Sequence, residues 1–315
     1  QDGSYLTELL LDEGYEVFGL VRPPSNRPMP NIDHLRDRLT LLEGELGEPQ
    51  TLRVALEAAR PQELYHLAAP TFVPQSWEDP VGTLRDVGVA TAMLLSDVRA
   101  LDPAARVYVA SSSEIFGATE ECPQNERTEC RPTTPYGVAK LAAHLLVRTL
   151  RDRHGLYACS GITYNHESPR RPERFVTRKV TRAAAAVKLG LESEVVLGDL
   201  DAVRDWSYAG DIVRGAWLML RSERPDDYVL ASGVGRTVRE LADVAFACVG
   251  LRAADHVRVD AALQRSLPPT PPVGDPSKAR TELGWAPRVG FEEMIGAMVA
   301  ADLERLQEPV GERTA

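Results

Sequence analysis

A chain of 315 residues with 43% hydrophobic content can bury one large core or two smaller ones. Its net charge of -10, with acids and bases interspersed and no basic block, excludes nucleic acid or a membrane surface as the main partner; no apolar run reaches the roughly 18 residues of a span, and no signal-peptide pattern is present. Four cysteines (Cys122, Cys130, Cys159, Cys248) show neither CxxC pairing nor the density of a disulfide scaffold, so reduced thiols in a cytoplasmic protein without a metal centre are expected.

Residues 1–6 read as the opening of a helix with no strand before it. A first strand and most of a glycine loop are therefore expected upstream, with Gly3 as the last glycine of a dinucleotide fingerprint. Strands are then expected at 15–21, 39–43, 63–68, 106–112 and 157–165, and helices, from apolar residues at three-to-four spacing, at 52–59, 83–101 and 135–153. This alternation predicts an α/β fold, a Rossmann-like doubly wound parallel sheet. Beyond Asn165 the texture changes to an arginine-rich turn, a helix at about 175–190 and a proline-rich stretch near 267–273, which predicts a smaller α/β lobe. The expected division is 1–163 plus about 204–232 for the first domain, and 164–203 plus 233–315 for the second. Ligands of an open parallel sheet sit beyond the carboxyl ends of its strands, so the loops after Ser112 and Asn165 are the expected site.

Tyr136 and Lys140 lie four apart, on one face of a helix that Thr134 would cap and Pro135 would start. A lysine there can lower the phenol's pKa and fit it to take a proton from a carbinol. Alone, such a pair is as easily a surface tyrosine beside a solvated lysine. Its context is the strand that ends in Ser111-Ser112-Ser113-Glu114, which adds a hydroxyl and a carboxylate. Hydride transfer at a carbinol needs one base for the hydroxyl proton, and an elimination needs a second acid/base for a carbon proton and the departing water. Glu114 suits the second role. The strand at 15–21 runs into Arg22 where an NAD site would place an acid; arginine suits the 2'-phosphate of NADP, the alternative being an ordinary exposed side chain.

Seven segments spread along the chain resemble the GDP-mannose 4,6-dehydratase family of extended short-chain dehydrogenases/reductases. They are residues 1–6, 110–117, 135–140, 165–171 (NHESPRR), 175–179, 204–206 and 274–279. NHESPRR discriminates best from sister reductases and epimerases. The resemblance implies a homodimer or homotetramer that binds NADP and a nucleotide sugar, GDP-mannose first, and removes water by oxidation at C4, elimination across C5 and C6, and hydride return to C6. The second lobe would bind the nucleotide sugar.

Ser112, Glu114, Tyr136 and Lys140 would then be catalytic. Gln1, Asp2, Gly3, Arg22, Glu45, Leu46, Leu67, Ala68, Ala69, Thr71, Tyr136, Lys140, His166 and Arg171 would hold the cofactor. Ser112, Glu114, Asn165, Arg204, Arg265 and the neighbours Arg178 and Lys179 would hold the substrate. The chain departs from the family pattern at Pro23 and Pro24 after Arg22, at Pro70, Phe72, Gly82 and Thr133 or Thr134, at Pro268 and in a shorter segment before Val257. These positions concern recognition, so a sibling dehydratase, reductase or epimerase for another nucleotide sugar, such as a GDP-heptose, is the competing expectation. A dinucleotide-binding protein without turnover is a third.

Overall fold

Helix α1 (Asp2–Asp12) opens the chain and leads through β1 (Phe18–Val21), β2 (Thr40–Glu43), α2 (Pro49–Ala59) and β3 (Glu63–His66). Two short helices, α3 (Gln75–Glu78) and α4 (Pro80–Leu84), run through a π turn into α5 (Ala90–Leu101), followed by β4 (Arg106–Ala110), α6 (Pro135–His154) and β5 (Ala158–Thr163). The remainder is β6 (Asn165–Glu167), α7 (Val176–Lys188), β7 (Val195–Leu197), β8 (Val203–Tyr208), α8 (Ala209–Arg221), β9 (Asp227–Leu230), β10 (Gly235–Thr237), α9 (Val238–Ala247), β11 (Val257–Val259), α10 (Ser277–Leu283) and α11 (Phe291–Gln307). This is a computed structural model that describes residues 1–263 and 269–307.

The first layer is a parallel sheet in the order β3-β4-β5-β9, with β1 and β2 paired in parallel beside it. Every residue of β5 and β9 is buried, as expected of strands covered on both faces. On one face, Leu94, Leu95 and Val98 of α5 and Val147 of α6 pack on Val107, Val109 and Ala158. On the other, Ile212, Ala216, Met219 and Leu220 of α8 pack on Tyr108, Cys159, Tyr228 and Leu230. The Rossmann-like α/β expectation is met.

β1 pairs only with β2 and β3 only with β4 among the described residues, and both strands border one cavity.

The strand expected at 157–165 divides in two. At Tyr164 the chain leaves the first sheet, because this side chain turns inward and its hydroxyl donates to Gln124 Oε1 at 2.6 Å in a buried contact. β6 then joins a second sheet, β10-β8-β6, with Asn165 opposite Trp206. β8 pairs in that second sheet, and α8, which follows it from Ala209, packs on the first. The second core packs α7, α9 and α11 around Trp206, Leu241 and Phe246. Among the described residues no helix is long and apolar enough to cross a membrane, no group of three or more acids, histidines and cysteines could hold a metal, and the four cysteines are unpaired.

Candidate functional site

The carboxyl ends of β3 and β4, the start of α1 and Asn165 and His166 of β6 open on one cavity.

The chemistry-bearing residues meet there because two elements end side by side. β4 delivers Ser112 and Glu114 at its carboxyl end, and Ser112 Oγ accepts from the Glu114 amide at 3.2 Å. α6 starts against the same turn. Thr134 caps it by accepting from the Gly137 amide at 2.9 Å, and Pro135 occupies the first turn, as the sequence predicts. Gly137 permits the approach: a Cβ on it would lie 2.6 Å from the Glu114 carbonyl oxygen. The turn thus sets Tyr136 beside Ser112 and Glu114, and Lys140 one turn deeper.

Lys140 is buried, with Nζ donating to the Ala110 carbonyl at 2.7 Å and lying 5.7 Å from the Tyr136 ring centroid. Burial pulls its pKa down to about 8, against the attraction of Asp2. Burial also raises the Glu114 carboxyl above the usual carboxylate range, opposed by the Arg204 charge and a Thr134 hydrogen bond. Tyr136 differs from expectation. Burial and the neighbouring Glu114 charge push its phenol up, and the opposing pull comes from a Ser112 hydrogen bond and Arg171 rather than from Lys140.

Opposite this group, NHESPRR straps α1 to the second lobe. Gln1 Nε2 donates to the His166 carbonyl at 3.1 Å and Gln1 Oε1 accepts from Ser168 at 2.9 Å. Arg170 meets both carboxylate oxygens of Glu8 at 3.0 and 2.6 Å and stacks 4.1 Å over the Tyr5 ring. His166 donates from Nδ1 to the Tyr164 carbonyl at 2.7 Å and from Nε2 to Asp2 at 2.8 Å, which makes it an imidazolium. Burial opposes that charge, but the Asp2 carboxylate outweighs it and raises the His166 pKa; His166 in turn holds Asp2 well below the carboxylate range against its own burial.

Of the residues expected at a site, Gln1, Asp2, Gly3, Leu46, Leu67, Ala68, Thr71, Ser112, Glu114, Tyr136, Lys140, Asn165, His166, Arg171, Lys179 and Arg204 line the cavity. Four do not. Ala69 packs instead against Val87, Ala139 and Ala143. Glu45 is exposed beyond β2, where its amide hydrogen-bonds Thr51, and Arg22 is exposed just after β1. Arg178 is the main correction. Its Nε donates to both Asp302 oxygens at 2.7 and 2.9 Å, and Nη1 to the carbonyls of Pro169 and Arg171 at 2.9 Å, so it is a buried tie between α7 and α11. Between the two neighbours, Lys179 is the one on the cavity, with Nζ donating to the Val196 carbonyl. Arg265, and Pro268 with it, lie outside the described residues.

Removing one member of a buried ion pair strands the other, so Asp302→Ala is expected to lower unfolding free energy by about 3–5 kcal/mol in urea titration. The KM of any activity should move little in the folded fraction, because Arg178 does not face the cavity.

The cavity suits a nicotinamide dinucleotide. The buried Ser111 hydroxyl on its wall has no protein partner, and the first turn of α1 borders it. Helix N-termini attract phosphate. Asp205 is a residue that sequence reading passes over. It is fully buried and accepts from the amides of Ser232, Gly233 and Gly274 and from the Ser232 hydroxyl, fixing two loops beside Arg204. Its partners are remote in sequence, so spacing carries no trace of it.

The sequence model of the family described as GDP-mannose 4,6 dehydratase matches residues 1–298. GDP-mannose 4,6 dehydratase 1 of Arabidopsis thaliana is 45% identical over 96% of this chain and 87% of its own length. The GDP-mannose 4,6-dehydratase of Yersinia enterocolitica is 39% identical over 98% and 92%. Among solved structures, UDP-glucose 4-epimerase of Thermus thermophilus in complex with NAD superposes with a TM-score of 0.82 at 26% identity over 96% of each chain. RMD of Pseudomonas aeruginosa complexed with NADPH, 23% identical over 97% of this chain and 96% of its own, shares the fold with a TM-score of 0.81.

Proposed function

The chain belongs to the GDP-mannose 4,6-dehydratase family, and on that premise we propose that its cavity converts GDP-mannose to GDP-4-keto-6-deoxymannose with NADP as the resident cofactor. The protein is a nucleotide-sugar hydro-lyase with a Rossmann-like fold. The observation that carries the reading is the half-buried Glu114 carboxylate on the same wall as Ser112, Tyr136 and Lys140. A phenol and a lysine suffice for oxidation or reduction of a carbinol; an elimination needs the additional acid/base.

Gln1, Asp2, Gly3, Leu46, Leu67, Ala68, Thr71, His166 and Arg171 would hold the cofactor. When bound, its nicotinamide would accept hydride from C4 in the oxidised form, which also brings a positive charge to the cavity, and return it to C6 in the reduced form. Tyr136 would take the C4 hydroxyl proton once its phenol, which burial pushes up, is lowered by that added charge together with Ser112 and Arg171. Ser112 holds the C4 oxygen. The ketone acidifies C5, and the ionised Glu114 removes the C5 proton and passes a proton to the C6 hydroxyl, which leaves as water. After hydride return, C5 regains a proton from the acid groups of the wall, so the balance is one nucleotide sugar in, one keto sugar and one water out. Asn165, Lys179 and Arg204 provide amide and cationic donors suited to sugar and diphosphate.

The test is incubation of the full chain with GDP-mannose and catalytic NADP, read by mass spectrometry. Loss of one water without net cofactor reduction supports the reading. Water loss only from another nucleotide sugar would move the substrate and keep the chemistry; stoichiometric consumption of reduced cofactor would make the protein a reductase.

NADP rather than NAD is supported by Arg22, which follows β1 directly and is exposed with no acidic partner within ion-pair distance among the described residues. Arg22→Ala is expected to lower the preference for NADP over NAD by about tenfold in parallel titrations; an unchanged ratio would place the 2'-phosphate elsewhere. The reading includes a cytoplasmic homo-oligomer, a dimer or tetramer. It is supported by the unpaired thiols and by exposed Trp77, Val81 and Leu84 near α3 and α4, with Val138 and Leu145 on the adjoining α6. A monomer mass in sedimentation equilibrium would remove it.

A further inference from the structure

On one side of the cavity the two lobes touch through aromatic rings. Phe72, in the loop after β3, meets Phe175 at the start of α7 edge to face, with centroids 5.7 Å apart and planes at 87°. Two guanidinium groups lie over this pair. Arg171 sits 3.6 Å from the Phe175 centroid and is also paired with Glu167 at 3.1 Å. Arg174 sits 5.2 Å from the Phe72 centroid and 5.5 Å from that of Phe175. Arg174 is exposed on the cavity wall, and no carboxylate stands within ion-pair distance of it among the described residues.

A guanidinium resting on ring faces is held in orientation while its N–H edge stays available, and that edge matches two oxygens of a phosphate. In a chain of net charge -10, an uncompensated cation on a ligand cavity is also a local attractor for anions. Because the two rings come from different lobes, a ligand held by Arg174 would also favour the lobe contact that orients it.

We propose that Arg174, oriented by Phe72 and Phe175, is a phosphate clamp for the phosphate-bearing ligands of this cavity. The inference deepens the function proposed above and rests on it. Phosphate is the chemistry shared by the dinucleotide and the nucleotide sugar, and the experiment separates the two sources.

The test is equilibrium binding of NADPH, by its fluorescence, and of GDP, by calorimetry, to the full chain and to Arg174→Ala, Arg174→Lys and Phe72→Leu. Arg174→Ala should weaken one of the two by about tenfold or more and flatten the salt dependence of that ligand. Arg174→Lys keeps the charge but not the planar edge, and Phe72→Leu keeps the apolar volume but not the ring face, so each should lose part of the same affinity. Weakening confined to NADPH supports the clamp and assigns it to the dinucleotide; weakening confined to GDP supports it and assigns it to the nucleotide sugar. Unchanged affinity for both in Arg174→Ala, or a loss that only tracks a lower melting temperature, overturns it. These are binding readouts, so weakened affinity in a chain that performs no dehydration would keep the clamp and sink the proposed function, and the reverse pattern would do the opposite.

Discussion

Tyr136→Phe is expected to lower turnover by about 10²- to 10⁴-fold, the usual contribution of a general acid/base, while leaving the fold in place. The ring stays in its buried position between Ser112, Glu114 and the Lys140 ammonium, and only the hydroxyl and its Ser112 hydrogen bond are removed. Loss of that bond costs about 1 kcal/mol of stability, a shift of a few degrees in melting temperature. Binding of GDP should be unaffected, because the hydroxyl acts on the sugar. If Tyr136→Phe turned over at more than a tenth of the parent rate, the phenol would not be the base.

Glu114→Gln is expected to have a comparable effect, again about 10²- to 10⁴-fold, but at a different carbon. Parent enzyme working in deuterium oxide should place deuterium at C5, because Glu114 hands a proton to the departing water and C5 regains one from a solvent-exchanged acid group of the wall. The amide cannot remove the C5 proton, so Glu114→Gln should show no exchange at C5 even on long incubation. Exchange at the parent rate would transfer the role to another group. Burial holds the parent carboxyl above the carboxylate range, so the acid side of its rate profile should fall at higher pH than an ordinary carboxylate would give. Below that pH Glu114 is protonated and cannot take the C5 proton. Arg204 opposes the shift, so Arg204→Ala should move the acid limb higher still.

Much of the fold and the central group was legible in the sequence because both rest on local rules. Apolar runs such as Val107–Val109 alternate with helical spacing, and Thr134-Pro135 marks the start of α6, fixing where Tyr136 and Lys140 point. What escaped depends on distant partners. Tyr164 sits inside an apolar run that reads as continuous strand, and only Gln124, far off in sequence, shows why the chain leaves the sheet there. Arg178 and Lys179 are neighbours on one helix with no local signal for which faces inward; Asp302, more than a hundred residues later, decides it. Phe72, Arg174 and Phe175 become one cluster only once the lobes meet. The phenol's pKa was misread for a related reason: a Tyr/Lys spacing carries the attraction between the two but not the burial that outweighs it.

The most direct test of the account follows one atom. GDP-mannose labelled with deuterium at C4 is incubated with the full chain and catalytic NADP, and the product is examined by NMR. The account predicts a 4-keto-6-deoxy sugar that carries the label at C6, because the hydride lost at C4 is the one returned. Label lost to solvent, or left at C4 of an unaltered sugar while water fails to depart, would contradict it.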